Sequence, residues 1–381
     1  MQGASAVLVI GAGPAGAAAA NVLARAGVDV ALIDRARFPR DKTCGDAVSN
    51  NGLRLLQELG ALDAIKREPY AEVRRGIARF PDGSSIAREY RDPGFIVARL
   101  TLDDAIRRAA VAGGARMMEG VSARELIVEN GRVRGVRGDG LDWRAKLVIA
   151  ADGYGSIAWS HVGANPKKGR GLAVSTTGYY RNIRFPEGAT NADHYFEADL
   201  PCGYGWIFPE VSGVANAGVY LRRDAYQKLG RSLADLMSAF VARHPERFEG
   251  SERVGGLRTW SLPIAPASFP ASAAGLLIAG DAGGFIDPLS GEGIWQALHT
   301  GKLAGAIAVE ALDRSHGELT PELRQRFEAE CDRAIRRPSR AKLAIQDALQ
   351  VFVGAKLYRI GPLRAALRLA YAARAFEMTK A

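Results

Sequence analysis

The hydrophobic pattern at the start of the chain alternates between short, unbroken apolar runs and a helical stretch. Residues 6–10 (AVLVI) precede the Ala-rich stretch 17–26, and residues 28–33 form the next apolar run. Short apolar runs bounded by glycine are typical of buried parallel strands, and strands that alternate with helices indicate a parallel sheet. The pattern therefore predicts that the chain opens with an α/β domain.

The pattern changes in the middle of the chain. Residues 171–220 alternate between apolar and polar positions and are rich in aromatic residues, which predicts an antiparallel sheet in a second domain. Residues 73–80 and 85–90, on either side of a Pro-Asp-Gly turn, predict a hairpin.

The remaining apolar runs predict the other elements. An apolar strand from Phe95 carries Arg99 and passes into a helix, with Thr101 as its N-cap. A strand at 275–279 leads into a long helix from about residue 292 to 312, so the first domain resumes after an insertion. The other predicted elements are a helix over 53–59, a strand at 115–118, a meander over 122–143, a strand at 146–150, a helix over 232–243 and a strand at 258–262.

A glycine-rich turn joins the first strand to the first helix, and Asp34 follows the second strand. The turn consists of Gly11, Ala12, Gly13, Pro14, Ala15 and Gly16. Glycines let the backbone approach a pyrophosphate, the helix N-terminus supplies unpaired N–H groups, and the acid can accept hydrogen bonds from ribose hydroxyls. This order predicts dinucleotide binding, with a tight turn in another α/β protein as the alternative. Because the motif occurs once, a tightly held flavin is favoured over a nicotinamide cofactor with its own domain.

Two further stretches fit a flavin. Gly280-Asp281 ends a strand and is followed by Pro288, Gly291, Gly293 and a helix. This arrangement would put an aspartate against the ribityl chain and a helix N-terminus near the electron-rich end of the isoalloxazine. Arg99 is expected to hold a phosphate or the flavin chain. The alternatives are a helix N-cap for Asp281 and a surface salt bridge for Arg99.

Together, these motifs resemble the flavoprotein superfamily with the glutathione-reductase-type FAD fold. The resemblance covers about the first 330 residues and points to the branch that contains hydroxybenzoate-hydroxylase-like monooxygenases, flavin halogenases and geranylgeranyl reductases. It is carried by the GAGPAG turn, Asp34-Arg35, Arg99, Asp152-Gly153 and Gly280-Asp281.

Two stretches distinguish among these branches, and both resemble the geranylgeranyl reductases. Residues 42–46 (KTCGD) are similar to that family's Cys-Gly-Asp loop, and residues 201–209 (PCGYGWIFP) match its Tyr-x-Trp-x-Phe-Pro motif. The resemblance implies that this strand lies over the flavin and shapes the pocket for an isoprenoid double bond. The residues alone show only that Tyr204, Trp206 and Phe208 share one face of a strand, which core packing also explains.

The other two branches fit less well. The halogenases would require Trp-x-Trp-x-Ile-Pro at this strand, and Tyr204 and Phe208 depart from it. The monooxygenases share Asp152-Gly153 but predict neither the Cys44 loop nor the aromatic strand. An FAD-dependent monooxygenase of aromatic or polyketide substrates is therefore the principal alternative function.

The resemblance implies an FAD-dependent reductase that saturates carbon–carbon double bonds of a prenyl chain. Reduced flavin would deliver hydride from N5 to one alkene carbon while a proton reaches the other; Cys44, Tyr204 and a trapped water are the open candidates for its source. The predicted catalytic residues are Cys44, Tyr204 and Trp206, and the substrate pocket consists of Tyr204, Trp206, Phe208 and Pro209. Besides the turn residues, the predicted FAD-binding residues are Asp34, Arg35, Cys44, Gly45, Asp46, Arg99, Val121, Gly280, Asp281, Pro288, Gly291, Gly293 and Ile294.

The implied fold class is α/β with three parts. Residues 1–70, 98–157 and 272–330 form a discontinuous, Rossmann-type FAD-binding domain that is glutathione-reductase-like. Residues 71–97 and 158–271 form an inserted antiparallel-sheet substrate domain, and 331–381 form a basic, helical C-terminal segment.

The net charge of +10 is concentrated in this C-terminal segment: from residue 333 onward there are 11 Lys and Arg against two acids. An apolar stripe with arginines between its members predicts an amphipathic helix, broken at Gly361-Pro362, that contacts a membrane surface. Closure of the substrate cavity by the apolar face is an alternative compatible with this. Nucleic-acid binding is disfavoured, because the segment has few aromatic residues. The stripe is Ile345, Leu349, Phe352, Leu357, Ile360, Leu363, Leu367, Ala370 and Tyr371, with Arg359, Arg364, Arg368 and Arg374 between them.

Composition adds the remaining expectations. The three cysteines, Cys44, Cys202 and Cys331, are too few for a disulfide framework and fit no metal motif, although a Cys44–Cys202 pair beside the flavin is an alternative. The absence of a long apolar stretch and of room for a signal peptide before the first strand predicts a cytoplasmic protein, peripheral at the membrane. The expected partners are a hydrophobic or prenyl-lipid substrate and an external reductant, either a ferredoxin-like protein or NAD(P)H.

Overall fold

The computed structural model describes residues 1–165, 170–264 and 269–372, which form two eight-stranded sheets surrounded by helices. The first sheet consists of β1 (Gln2–Ile10), β2 (Val30–Asp34), β6 (Arg116–Glu119), β7 (Ala123–Glu129), β8 (Arg132–Gly138), β9 (Leu141–Ala150), β15 (Ser272–Ala273) and β16 (Leu276–Ile278). The second consists of β3 (Ala47–Val48), β4 (Ala71–Arg79), β5 (Ser85–Ile96), β10 (Leu172–Arg181), β11 (Asn191–Tyr195), β12 (Gly203–Val211), β13 (Val214–Arg222) and β14 (Glu252–Pro263).

The first sheet is the predicted parallel sheet. Its order is β15-β16-β9-β1-β2-β6, and the neighbours from β16 to β6 are parallel, while the β7–β8–β9 meander attaches antiparallel. Val7, Leu8 and Val9 of the central strand are fully buried. Because both faces are covered, the strand reads as a continuous apolar run, and each such side chain stabilises the fold by about 1.5–3 kcal/mol.

The helices are α1 (Pro14–Arg25), α2 (Asn50–Glu58), α3 (Leu62–Lys66), α4 (Arg99–Ala112), α5 (Arg223–Tyr226), α6 (Leu233–Arg243), α7 (Pro245–Phe248), α8 (Ile294–Ser315), α9 (Pro321–Cys331), α10 (Arg337–Gly354) and α11 (Gly361–Ala372). Small residues allow α1 and α8 to pack closely. A Cβ atom on Gly301 would lie 2.0 Å from the carbonyl oxygen of Ala15, and one on Gly305 would lie 2.9 Å from that of Ala19. This packing brings the N-termini of both helices to the same end of the sheet.

The second sheet has the order β14-β10-β13-β12-β11-β4-β5-β3. Most of its pairs are antiparallel, as predicted, but β11 and β4 are parallel. The predicted hairpin joins this sheet through β4, and its second strand continues to Ile96 instead of ending near Tyr90. The apolar stretch at Phe95 is therefore the end of β5 and not a strand of its own.

The N-cap prediction for α4 was wrong. The helix begins at Arg99 after Ala98, so Thr101 lies inside its first turn. Arg99 then forms a bidentate pair with Asp103 one helical turn later, with nitrogen–oxygen distances of 2.8 and 2.7 Å. This buried pair fixes the start of the helix earlier than the threonine suggested.

The C-terminal segment is helical with breaks. After α9, the chain passes through a π-helical turn (Asp332–Arg336) into α10, then through a 3-10 turn (Leu357–Arg359) into α11, which begins at the predicted break. Arg374 lies outside the described residues, as do the side chains of Leu367, Arg368, Ala370 and Tyr371. In the part of the chain that the structure describes, none of the helices combines the length and apolarity needed to cross a membrane.

Candidate active site

A cavity of about 800 Å³ opens between the two sheets, and most of the predicted site residues line it. Those at its surface are Gly11, Gly13, Pro14, Ala15, Asp34, Arg35, Cys44, Gly45, Arg99, Tyr204, Trp206, Phe208, Gly280, Asp281, Gly291, Gly293 and Ile294. Six other predicted residues, all within the described ranges, lie outside its lining: Ala12, Gly16, Asp46, Val121, Pro209 and Pro288. The fold thus gathers residues from four distant parts of the sequence around one cavity.

The glycine-rich turn presents the N-terminus of α1 to this cavity. A Cβ atom on Gly16 would lie 1.7 Å from the carbonyl oxygen of Gly11, and Gly11 itself has a φ of +92°. Gly13 occupies the N-cap position, and no side chain of the described residues caps the helix by accepting a hydrogen bond from the amides of its first turn. The free N–H groups and the helix dipole therefore favour an anion here.

Asp34 stands at the tip of β2 with its carboxylate bonded to the backbone. It accepts hydrogen bonds from the amides of Ala12 and Ala36, both at 2.8 Å, and its own carbonyl accepts from the amide of Val121 at 2.9 Å. Asp34 thus ties the glycine turn to the strand beside it. Each of its oxygens keeps a second lone pair for a ligand.

The N-terminus of α8 enters the same cavity from the other side. Gly293 is its N-cap residue and no side-chain cap is present in the described structure. Asp281 is not the N-cap of this helix, because it lies in the 3-10 turn Gly280–Gly283 and pairs with Lys42 at 3.2 Å. A second uncapped helix N-terminus therefore faces the cavity.

Arg99 and Cys44 form one buried contact at the wall. Arg99 is 4% exposed, so its pair with Asp103 is not the surface salt bridge considered as an alternative; Arg40 also approaches Asp103, at 2.9 Å. Burial raises the pKa of the Cys44 thiol, and the neighbouring Arg99 guanidinium opposes that rise. The thiol therefore stays protonated beside a cation.

The cysteine pairing that the sequence left open is absent. Cys44, Cys202 and Cys331, all within the described ranges, are free. Cys202 does not flank the cavity as expected, because it lies in the turn before β12 and its amide donates to Gln350 of α10 at 2.8 Å.

Aromatic side chains of β12 form another wall of the cavity. Tyr204, Trp206 and Phe208 project from one face of the strand, as their spacing predicts, and are 5–7% exposed. The hydroxyl of Tyr204 donates to the carbonyl of Ser290, and burial raises its pKa. Its ring lies 5.3 Å from that of Tyr220. This wall is both cavity surface and packed core.

Asn216 of β13 joins this wall to the Cys44 loop, and the sequence analysis missed it. Its amide oxygen accepts from the indole N–H of Trp206 at 2.8 Å. Its amide nitrogen donates to the carbonyl of Cys44 and to the carboxylate of Asp46, both at 2.9 Å. A lone asparagine in the apolar stretch of β13 was the available signal.

Asp46 is buried behind the wall and not at the cavity surface. Burial raises its pKa to about 6, although hydrogen bonds from Tyr179 and Asn216 oppose the shift. These bonds hold the Cys44–Asp46 loop against β12. A Cβ atom on Gly45 would lie 3.2 Å from the ring of Phe208, so the loop approaches the aromatic strand closely.

His194 and Lys342 are among the ionisable cavity residues that the sequence left unassigned. His194 of β11 lies edge-on to Tyr204 and Phe208, with ring centroids 5.2 and 5.4 Å apart, and burial lowers its pKa to about 4. Lys342 of α10 reaches the cavity and pairs with Asp287. The imidazole is therefore neutral, and the C-terminal segment supplies part of the cavity wall.

These residues fit an FAD molecule. Two uncapped helix N-termini face one cavity, as a pyrophosphate and an electron-rich ring require. Asp152 adds an acceptor, since one oxygen of its buried carboxylate has no hydrogen-bond partner among the described residues. An unpaired buried acceptor at a cavity wall indicates a ligand donor.

Comparisons with known proteins agree with this fit. The family model for the FAD binding domain matches residues 4–196. A menaquinone reductase of Mycobacterium tuberculosis is 32% identical over 325 residues, covering 79% of this chain and 76% of that protein. Digeranylgeranylglycerophospholipid reductase 2 of Methanopyrus kandleri is 32% identical over 322 residues, covering 81% and 77%. The chain belongs to the geranylgeranyl reductase family of FAD-dependent oxidoreductases.

Solved structures show that this reductase-family fold is shared widely. A geranylgeranyl bacteriochlorophyll reductase-like protein from Thermoplasma acidophilum has a TM-score of 0.84 at 24% identity, covering 94% of this chain and 90% of that one. A flavin-dependent brominase has a TM-score of 0.78 at 18% identity, covering 96% and 92%. At these identities the likeness establishes the FAD-binding α/β fold with its second sheet, and not the reaction.

Proposed function

We propose that this protein reduces carbon–carbon double bonds in the prenyl chain of a lipid-like substrate. The observation that carries the proposal is the aromatic wall of Tyr204, Trp206 and Phe208, which lines the same cavity as the two helix N-termini. The relatives named as reductases of prenyl lipids and of menaquinone support the same class of substrate. An apolar chain can lie along such a wall without leaving polar groups unpaired.

When bound, reduced FAD supplies the hydride from N5. The protein residues must then exclude water and hold a proton near the second alkene carbon. Cys44 suits the second role, because burial keeps its thiol protonated at the cavity wall and Arg99 stabilises the thiolate left after donation. Tyr204 suits it less, because its proton is directed at the Ser290 carbonyl. We therefore propose Cys44 as the proton source.

The function is tested by reducing the purified holoprotein anaerobically and adding geranylgeranyl diphosphate, a geranylgeranylated glycerophospholipid or menaquinone in separate reactions. We expect flavin reoxidation without oxygen and a product heavier by two mass units per bond reduced. The menaquinone product is reoxidised in air before mass analysis, so that a quinol formed by ring reduction is not counted as saturation. The substrate that reacts fastest identifies the headgroup. Oxygen-dependent hydroxylation without saturation would instead support the monooxygenase alternative and contradict the proposal.

The proton source and the electron donor are tested in the same assay. We expect Cys44→Ala to lower the rate of saturation by roughly 100-fold while FAD stays bound, as for loss of a general acid. We also propose that an external reductant regenerates the flavin. Comparison of NADPH, NADH and a reduced ferredoxin as the sole electron donor distinguishes the class of the reductant. If none of the three donors supported turnover, the proposal of an external reductant would be contradicted.

We further propose that the C-terminal segment contacts a membrane surface. Three of its apolar side chains are strongly exposed: Val351 by 63%, Ile360 by 47% and Leu363 by 41%. Lys356 and Arg359 lie exposed beside them. Phe352, in contrast, faces inward, with its ring 5.9 Å from that of Phe80. The described part of the segment therefore has one face on the protein and an apolar, basic face toward solvent.

Sedimentation with vesicles of phosphatidylglycerol and phosphatidylcholine tests this contact. We expect the triple variant Val351→Ser, Ile360→Ser, Leu363→Ser to bind at least tenfold more weakly than the wild type. A matched variant at Val111 and Val128, two exposed valines outside the segment, should bind as the wild type does. Equal binding of both variants would contradict the proposal.

A further inference from the structure

A buried ion pair joins the C-terminal segment to the loop that precedes α8. The ammonium of Lys342 contacts one carboxylate oxygen of Asp287. Asp287 is 1% exposed and Lys342 is 8% exposed, and both line the cavity. The prediction of a basic surface segment did not anticipate a lysine that points inward.

Asp287 holds this loop together by accepting hydrogen bonds at both its side chain and its backbone carbonyl. Its second carboxylate oxygen accepts from the amides of Leu289 and Ser290, both at 2.9 Å. Its backbone carbonyl accepts from Gly291, and its amide donates to the carbonyl of Glu292. The loop therefore requires an acceptor at residue 287 close to the uncapped N-terminus of α8.

A carboxylate at this position is electrostatically unfavourable for a reduced flavin. The reduced ring carries negative charge, and the α8 N-terminus is suited to stabilise it. An uncompensated charge on Asp287 would oppose that stabilisation, because burial leaves little water to screen it. The ammonium of Lys342 neutralises the Asp287 carboxylate by direct contact.

We propose that Lys342 is a positioning residue for flavin reduction: it neutralises Asp287, so that the N-terminus of α8 stays electropositive toward the reduced ring. The proposal rests on the proposed function for the placement of the flavin. It concerns the reduction of FAD itself, and therefore does not depend on which alkene is later saturated.

The test is the midpoint potential of bound FAD in the holoprotein, titrated anaerobically against a reference dye without prenyl substrate. Burial lowers the pKa of Lys342 to about 7 in the native protein, so the titration is run at pH 6, below that value. The variants are Lys342→Met, Asp287→Asn and the double variant. The Asn oxygen preserves an acceptor for the loop amides.

We expect opposite shifts that cancel. At a fixed potential, Lys342→Met should lower the ratio of reduced to oxidised flavin at least tenfold, a change of about −30 mV for a two-electron couple. Asp287→Asn should raise the ratio, and the double variant should lie within about threefold of the wild type. A purely structural role would move both single variants in the same direction.

Shifts of the same sign, or no shift above threefold in either single variant, would overturn the proposal. If Lys342→Met fails to hold FAD, Asp287→Asn decides alone, and the absence of a rise overturns the proposal. Lys302→Met is the matched control, because Lys302 pairs with Glu58 on the exposed part of α8 and should leave the potential unchanged. A protein that shows these shifts but saturates no prenyl chain would contradict only the proposed function.

Discussion

The two walls of the cavity are built in opposite ways. The nucleotide wall is a continuous stretch of backbone around Gly11–Gly16, with its donors and its close approaches set by glycine. The aromatic wall consists of side chains from β11, β12 and β13, and Lys342 of α10 lines the same cavity. The nucleotide wall depends on the absence of side chains at its glycines, whereas the aromatic wall depends on contacts between particular side chains.

This difference teaches where each wall is vulnerable. An added Cβ atom is intolerable at Gly11 and Gly16 of the glycine turn, because its nearest neighbours there are backbone atoms that cannot rotate away. The aromatic wall depends instead on polar groups behind it, where Asn216 satisfies donors and acceptors of three other residues. Variants in the nucleotide wall should therefore lose FAD affinity, whereas variants behind the aromatic wall should lose stability.

The largest effect is expected in the nucleotide wall. Gly16→Val would force a side chain into the carbonyl of Gly11, and we expect FAD affinity to fall at least 1000-fold, or about 4 kcal/mol. Dialysis of the purified protein against FAD measures the loss. Gly60→Ala is the control: its φ is +73° but its Cβ would meet open space, so it should cost about 1 kcal/mol of stability and keep FAD. If Gly16→Val retained FAD as well as Gly60→Ala does, the expected role of Gly16 in FAD binding would be contradicted.

In the aromatic wall, Asn216→Leu should leave the Trp206 indole, the Cys44 carbonyl and Asp46 short of partners. We expect the free energy of unfolding in urea to fall by about 3 kcal/mol, because each buried group loses a hydrogen bond. Ser5→Ala removes two bonds, one accepted from the indole of Trp143 at 3.0 Å and one donated to the Val7 carbonyl at 2.8 Å, and should cost about 1–2 kcal/mol. If the free energy of unfolding fell equally in the two variants, the Asn216 network would stabilise the protein no more than the Ser5 hydroxyl does.

The pH dependence of stability sharpens the same point at Asp46. Its pKa of about 6 in the folded protein lies above the ordinary value of 3.8, so the folded state binds the proton more tightly than the unfolded state. Stability should therefore fall by about 2 kcal/mol as the pH rises from 4 to 6. In Asp46→Asn this contribution should be missing from urea unfolding curves recorded across that range. An identical pH profile in both proteins would contradict the buried carboxylate.

The smallest effect is expected at Tyr204. Tyr204→Phe removes one hydrogen bond to the Ser290 carbonyl, and we expect saturation to slow by less than about tenfold with FAD content unchanged. Tyr220→Phe, which removes one of the two hydrogen bonds to the Pro288 carbonyl in the same loop, is the matched control. A 1000-fold loss confined to Tyr204→Phe would identify its hydroxyl as the proton source instead of Cys44.

Much of the nucleotide-binding half follows from sequence. The order of strand, glycine turn, helix and acid depends on neighbouring residues alone, and the structure places Gly13 and Asp34 at one cavity as expected. The face shared by Tyr204, Trp206 and Phe208 also follows, because a strand repeats every two residues. The domain boundaries and the roles of the individual site residues stay predictions.

The misplaced features share a physical cause. Thr101 was a reasonable cap by type, but the buried Arg99–Asp103 pair starts the helix earlier. Cys202 is near Tyr204 in sequence, yet the turn before β12 directs its backbone to α10. Local propensity is overruled where a tertiary contact is stronger.

By itself, the sequence determined the glycine turn, the strand periodicity and the family to which the chain belongs, because each of these is a local pattern. Only the tertiary structure decided that Asn216 bridges the aromatic wall to the Cys44 loop, that His194 lies neutral within the wall and that Lys342 turns inward to Asp287. The Asn216–Cys44 contact joins residues 172 positions apart, Lys342 joins a helix to a distant loop, and His194 meets its neighbours through a strand pairing that no short pattern encodes. Periodicity shows which face of an element is buried, whereas packing decides what that face meets.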